Sequence, residues 1–196
     1  MRRWRSKRPS MVRLEGFAPI ADARARLLIL GSMPGGHSLR LGEYYAHPRN
    51  RFWPIMAELC GFDAALAYPQ RLEALKSSGI ALWDVLHACR REGSADAKID
   101  DASLELNDIA GFLRQHPRIH AILFNGAKAE QCFLRHVRST LDETSLRCLR
   151  LPSTSPAHAT LGQQQKLAAW RSALSQFDPG GLACEKSPIQ FPGRLG

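Results

Sequence analysis

Three stretches of this 196-residue chain gather side chains able to bind and polarise a partner without themselves being acids. The first runs Gly31-Ser32-Met33-Pro34-Gly35 and continues to Tyr44-Tyr45-Ala46-His47-Pro48-Arg49-Asn50-Arg51-Phe52-Trp53. The second is Leu123-Phe124-Asn125-Gly126, and the third is Leu151-Pro152-Ser153-Thr154-Ser155-Pro156-Ala157-His158. The Asn50 amide oxygen can hold a water molecule, and the Asn125 carboxamide sets one acceptor beside one donor. Tyr45 offers an aromatic face. His158 can donate a proton or meet an anion, and Ser153 and Ser155 can bind phosphate by hydroxyl or backbone N–H. Each residue also has a structural reading. Asn50 stands where a helix N-cap belongs, Asn125 before a glycine is a common turn former, and Tyr45 can be a core tyrosine. His47, between Ala46 and Pro48, reads as structural.

Common alternatives fail on residue type. Gly31 to Gly36 lacks the Gly-Lys-Ser/Thr of a phosphate-binding loop, and it matches neither G-x-G-x-x-G nor G-x-S-x-G. The H-x-E and P-C-x-x-C signature of zinc deaminases is missing. Cys60, Cys89, Cys132, Cys148 and Cys184 are odd in number and widely spaced, which argues against a disulfide framework, a zinc site or an iron–sulfur cluster. The expectation is a reduced intracellular, cytoplasmic protein with no cofactor and no metal.

The elements that must hold these stretches are legible from periodicity. Leu27-Leu28-Ile29-Leu30 reads as a buried strand, and Ile80 to Val85, Ile119 to Phe124 and Leu146 to Leu151 read as further strands. Arg51 to Cys60, residues 68–78, Asn107 to His116, Gly126 to Val137 and residues 160–177 read as helices. Residues 1–18 look irregular, Arg90 to Asp101 looks like a polar loop, and the chain beyond Asp178 looks disordered. Alternating strands and helices imply an α/β fold with a parallel sheet covered on both faces, in a single domain over 19–177. Ligands of such sheets bind beyond the carboxyl ends of the strands, where all three stretches fall.

Charge adds a partner class. Lys and Arg number 27 against 18 Asp and Glu, a formal net charge of +9. That excess favours a polyanion, nucleic acid before membrane, and no apolar run approaches the ~20 residues of a membrane span. The arm carrying Arg2, Arg3, Arg5, Lys7 and Arg8 is read as a flexible tail able to touch phosphates.

Taken together, the first and third stretches resemble motifs 1 and 2 of the uracil-DNA glycosylase superfamily. The resemblance covers roughly residues 27–175, with the motifs in the same order. It implies a three-layer α/β/α sandwich around a four-stranded parallel sheet. One departure narrows it. Met33 stands where many relatives place a catalytic Asn or Asp, and a thioether cannot usefully orient water. The hypoxanthine-DNA glycosylase branch shares that departure and is understood to use the late motif 1 asparagine, here Asn50.

The resemblance then assigns expected roles. Asn50 and His158 are the candidate catalytic residues. Tyr45, Asn125, Met33, Gly31 and Ser32 are candidates for holding the base. Ser153, Ser155 and Leu161 are candidates for DNA contact, Leu161 as a wedge replacing the extruded base. Lys128 reads as a solvated helical lysine, so no Schiff-base lyase step is expected; Asp84 resembles another strand-exit position of the superfamily, with a cap of the next helix as the alternative, and is assigned no catalytic role. The implied partner is DNA containing deaminated bases, and the implied state is a monomer. Hypoxanthine is the preferred reading, with uracil, xanthine or mismatch glycosylases, or a non-catalytic damage-binding module, as alternatives.

Overall fold

A computed structural model describes residues 12–91, 99–141, 146–158 and 160–177. The basic arm at 2–8, Cys184 and the tail beyond 178 lie outside the described residues.

Four strands form one parallel sheet, in the order β3 (Ile80–Asp84), β2 (Leu27–Gly31), β6 (Ala121–Asn125) and β7 (Arg147–Leu151). The first three are buried apolar runs, and β7 is an edge strand with two arginines and mostly exposed residues. The register aligns Gly31 with Asp84 and Asn125 with Leu151, so all four strands end together. Alternate residues of β2 feed separate cores. Leu28 and Leu30 join Trp83, Phe112, Phe124 and Phe133 on one face, whereas Leu27 and Ile29 join Phe52, Met56, Leu75 and Trp170 on the other. Both faces are therefore dry, as a parallel sheet requires. On the second face lie α2 (Phe52–Cys60), α3 (Tyr68–Ser77) and α6 (Gln163–Phe177). On the first lie α4 (Ile109–Gln115), begun by Asp108 accepting from the Gly111 N–H at 2.8 Å, and α5 (Ala127–His136). The three-layer sandwich and its four-stranded parallel sheet are as expected.

Two segments differ from expectation. Val12–Glu15, within the segment read as irregular, is a strand, β1, and it pairs antiparallel with β4 (Leu86–Arg91). With β5 (Glu105–Leu106) they form a small second sheet, β1-β4-β5, so part of the polar loop expected from Arg90 is strand. The pairing is supported by Arg13 donating to both oxygens of Glu105, at 2.9 and 2.8 Å. A short helix, α1 (Gly36–Leu41), also stands in the loop after β2. Among the described residues, no helix is long and apolar enough to cross a membrane.

Gly31 is required by close approach. A Cβ added there would overlap the Asp84 carboxylate and stand 3.0 Å from the Tyr45 hydroxyl. We expect Gly31→Ala to lose about 1–3 kcal/mol of stability in urea unfolding, because the carboxylate must move within a packed site. An unchanged midpoint would show that Asp84 can yield freely.

Candidate active site

The sheet's carboxyl edge brings the three stretches together, and Thr154 joins them. Its N–H donates to Asn125 Oδ1 at 2.8 Å, and its hydroxyl accepts from Asn125 Nδ2 at 2.9 Å. Its carbonyl accepts from the Arg51 N–H at 3.0 Å. Thr154 is fully buried, while its neighbours Ser153 and Ser155 are half-buried. A hydroxyl in mid-loop is thus committed inward, linking the segment after Asn50 to the end of β6. Sequence reading passed over it. The available signal was three consecutive hydroxyl residues between two prolines, in which alternation turns the middle one away from its neighbours.

Asn125 keeps capacity for a ligand despite both bonds. An amide oxygen has a second lone pair and an amide nitrogen a second hydrogen. The Thr154 N–H can donate only to the amide oxygen, so oxygen and nitrogen are fixed in place. Gly126 follows at φ +102°, a backbone region costly for side chains, and a Cβ there would stand 3.0 Å from Ser153 Cβ. That closeness lets the third stretch sit directly against the β6 exit.

Asn50 uses one lone pair locally. Its Oδ1 accepts from the Phe52 N–H at 2.9 Å, and its own N–H donates to the His47 carbonyl at 2.7 Å. The N-cap read for Asn50 is corrected by one residue: α2 starts at Phe52 with Arg51 at its N-cap, and Asn50 makes a side-chain turn just ahead of it. The bond also fixes the carboxamide, whose Nδ2 has no protein partner among the described residues. His47 is structural, its Nδ1 accepting from the Arg49 N–H at 3.1 Å.

Tyr45 adopts φ +54°, the one positive value among described non-glycine residues. Such backbone costs on the order of 1–3 kcal/mol and persists only where neighbours enforce it. Here they do. Trp53 Nε1 donates to the Tyr44 carbonyl at 2.8 Å, and the Ala46 N–H donates to Ser38 Oγ at 3.1 Å. The Tyr45 ring stacks on Phe52 with centroids 4.1 Å apart, which covers one of its faces. Burial pushes the adjacent Tyr44 hydroxyl far above the usual tyrosine range, with the Asp84 charge adding to it.

The remaining candidates divide. Gly31 and Ser32 are buried, and their carbonyls accept from the Val85 and Leu86 N–H groups at 2.9 and 3.1 Å, so this wall is backbone held by backbone. Met33 is 6% exposed and packs in the core cluster with Leu30 and Trp83, which makes it a floor under the site. Buried Arg91, absent from the sequence candidates, donates to the Pro34 carbonyl at 2.7 Å and steadies the same loop. Asp84 is followed by Val85 and β4, not by a helix, so the capping role considered for it is corrected. Its carbonyl accepts from Asn107 Nδ2 at 2.9 Å.

In the third stretch, Ser153 Oγ accepts from the Ser155 N–H at 3.2 Å and Ser155 Oγ from the Ala157 N–H at 3.3 Å. Both hydroxyl hydrogens remain available to an anion. The exposed His158 ring lies 3.2 Å from Thr160 Oγ1 through Nδ1. Leu161 is half-buried in the bend before α6. Lys128 donates to Asp101 Oδ1 at 2.7 Å on the flank of α5, and that bond holds the Asp101 carboxyl below its usual range. Among the described residues, no group of three or more His, Cys, Asp or Glu side chains could hold a metal ion.

Comparison with known proteins agrees with this geometry. Residues 18–175 match the family model described as the Uracil DNA glycosylase superfamily. A Methanosarcina barkeri protein named Hypoxanthine DNA glycosylase is 43% identical over 116 residues, 59% of this chain and 72% of the relative. A Methanosarcina acetivorans protein of the same name is 37% identical over 160 residues, 81% of this chain and 96% of the relative. A solution NMR structure from Methanosarcina acetivorans, described as a candidate uracil DNA glycosylase, superposes with a TM-score of 0.68 at 33% identity, covering 82% of this chain and 98% of that one. With the matched span containing every strand of the parallel sheet and all three site segments, the chain belongs to the uracil DNA glycosylase superfamily.

Proposed function

We propose that this chain is a monofunctional DNA glycosylase that hydrolyses the N-glycosidic bond of a deaminated base, hypoxanthine first, as the opening step of base excision repair. The observation that carries selection of a deaminated base over adenine is the Asn125–Thr154 pair. Hypoxanthine presents N1–H beside the O6 carbonyl. Asn125 Oδ1 accepts the first through its second lone pair, and Nδ2 donates its second hydrogen to O6. Adenine presents the reverse order, and an amide that cannot flip rejects it. Uracil and xanthine share this lactam edge, so the choice of hypoxanthine among them is supported by the two relatives named Hypoxanthine DNA glycosylase.

The chemistry needs no carboxylate nucleophile. As the bond from C1′ to N9 breaks, its electron pair goes to the base and the sugar gains oxocarbenium character. A water held by Asn50 adds to C1′ and loses a proton to solvent, while the base takes up a proton from His158 or solvent. The target must be extruded from the duplex, with Tyr45 stacking on the base and Leu161 filling the gap. Lys128, on α5, is engaged by Asp101, which supports hydrolysis without a lyase step. A monomer acting on DNA inside the cell is part of the same reading.

The test is base release from matched oligonucleotides carrying one deoxyinosine, deoxyuridine or deoxyxanthosine, single- and double-stranded, with alkali cleaving any abasic site. Cutting at inosine above the others is expected. Cutting chiefly at uracil would overturn the base preference. Binding without cutting at any base would favour the non-catalytic module.

A further inference from the structure

Two cationic residues are tied to the two ends of the third stretch. Arg51 directly follows Asn50, its side chain is exposed, and its N–H donates to the Thr154 carbonyl at 3.0 Å. Lys166, in the first turns of α6, is 4% exposed, and its Nζ donates to the His158 carbonyl at 2.7 Å. The segment from Thr154 to His158 is therefore gripped at one end by each residue. Neither cation has a carboxylate partner among the described residues. Elsewhere the surface cations are commonly paired, as Arg13 is with Glu105, Arg24 with Asp22, Arg150 with Glu130 and Arg171 with Glu58. Burial and the Arg51 charge together hold the Lys166 ammonium below the usual lysine range. A buried lysine that feels an arginine's charge with no counter-charge is an unfavourable arrangement in the free protein, and an anion bound by both relieves it.

We propose that Arg51 and Lys166 jointly bind one DNA backbone phosphate flanking the extruded nucleotide. This rests on the reading of the chain as a DNA glycosylase and adds a ligand site that serine contacts alone do not supply. Lys166 has two ammonium hydrogens beyond the one on His158, and Arg51 has its whole guanidinium available. Fixing the phosphate beside Asn50 would set the sugar against the water held there.

Binding is measured by fluorescence anisotropy on a duplex with one tetrahydrofuran abasic-site analogue, which cannot be cut and is blind to base preference. For wild type, Arg51→Gln, Lys166→Met and the double variant, log K is plotted against log salt. One lost phosphate contact lowers the slope by about one. The expected result is a slope reduced by about one in the double variant, with single effects that do not add, and Lys166→Arg restoring the wild-type slope. An unchanged slope would overturn the proposal, leaving Lys166 a loop tie, and so would an additive loss of about two, which would mean two separate phosphates. If Lys166→Met fails to fold, Arg51→Gln alone decides, its side chain being exposed. Reduced slopes in a wild-type background that releases no hypoxanthine would overturn the base reading and keep the phosphate site.

Discussion

Asn50→Ser is expected to give a folded protein that releases base about 10²–10³-fold more slowly in single-turnover assays with excess enzyme. Serine is chosen because Asn50 has two separable tasks. Its Oδ1 accepts from the Phe52 N–H at 2.9 Å and shapes the turn into α2. Serine can accept the same N–H, so stability in urea should stay within about 1 kcal/mol. It is too short to hold a water over the sugar as well. Asn50→Ala loses both tasks, and Asn50→Asp, which retains an acceptor of equal reach, should recover part of the rate. Wild-type release by the serine variant would make Asn50 a turn residue only, and the water would need another holder.

The large sheet was legible because its strands are short apolar runs bounded by turn residues. Leu27–Leu30 and Ile80–Val85 have no reading but burial on both faces, and the alternation of their neighbours into two cores follows. The small sheet was not legible. Val12–Glu15 is mostly exposed and mixes charge with aliphatics, and its strand state comes from β4, whose residues lie more than 70 positions away. β4 itself hides behind two arginines, of which Arg91 is buried because it reaches the Pro34 carbonyl. The site shows the same division. Residue types and their place after strands marked Asn50, Asn125 and the motif 2 loop. They did not mark Thr154, since a threonine's partner 29 positions away depends on strand register, which composition does not carry. They also did not show that Tyr45 spends one face on Phe52, because that follows from a left-handed backbone which neighbouring hydrogen bonds impose.

Asn125→Asp should lower hypoxanthine release at least about 10²-fold while leaving the fold intact, and the reason lies in which bonds each atom makes. One carboxylate oxygen replaces Oδ1 and still accepts the Thr154 N–H, and the other accepts the Thr154 hydroxyl, which simply turns its hydrogen around. The loop therefore keeps both ties. Toward the base, however, the donor is gone and a negative charge faces O6, so the lactam edge meets repulsion where it had a hydrogen bond. Thr154→Val separates the other half of the pair. It removes the side-chain tie, at a cost of about 0.5–1.5 kcal/mol, but retains the backbone N–H that orients Oδ1. Its release rates should fall together for every base, leaving their order unchanged. If Asn125→Asp released hypoxanthine at the wild-type rate, Asn125 would be a loop anchor alone. If instead Thr154→Val reordered the bases, the hydroxyl rather than the backbone would be what fixes the amide.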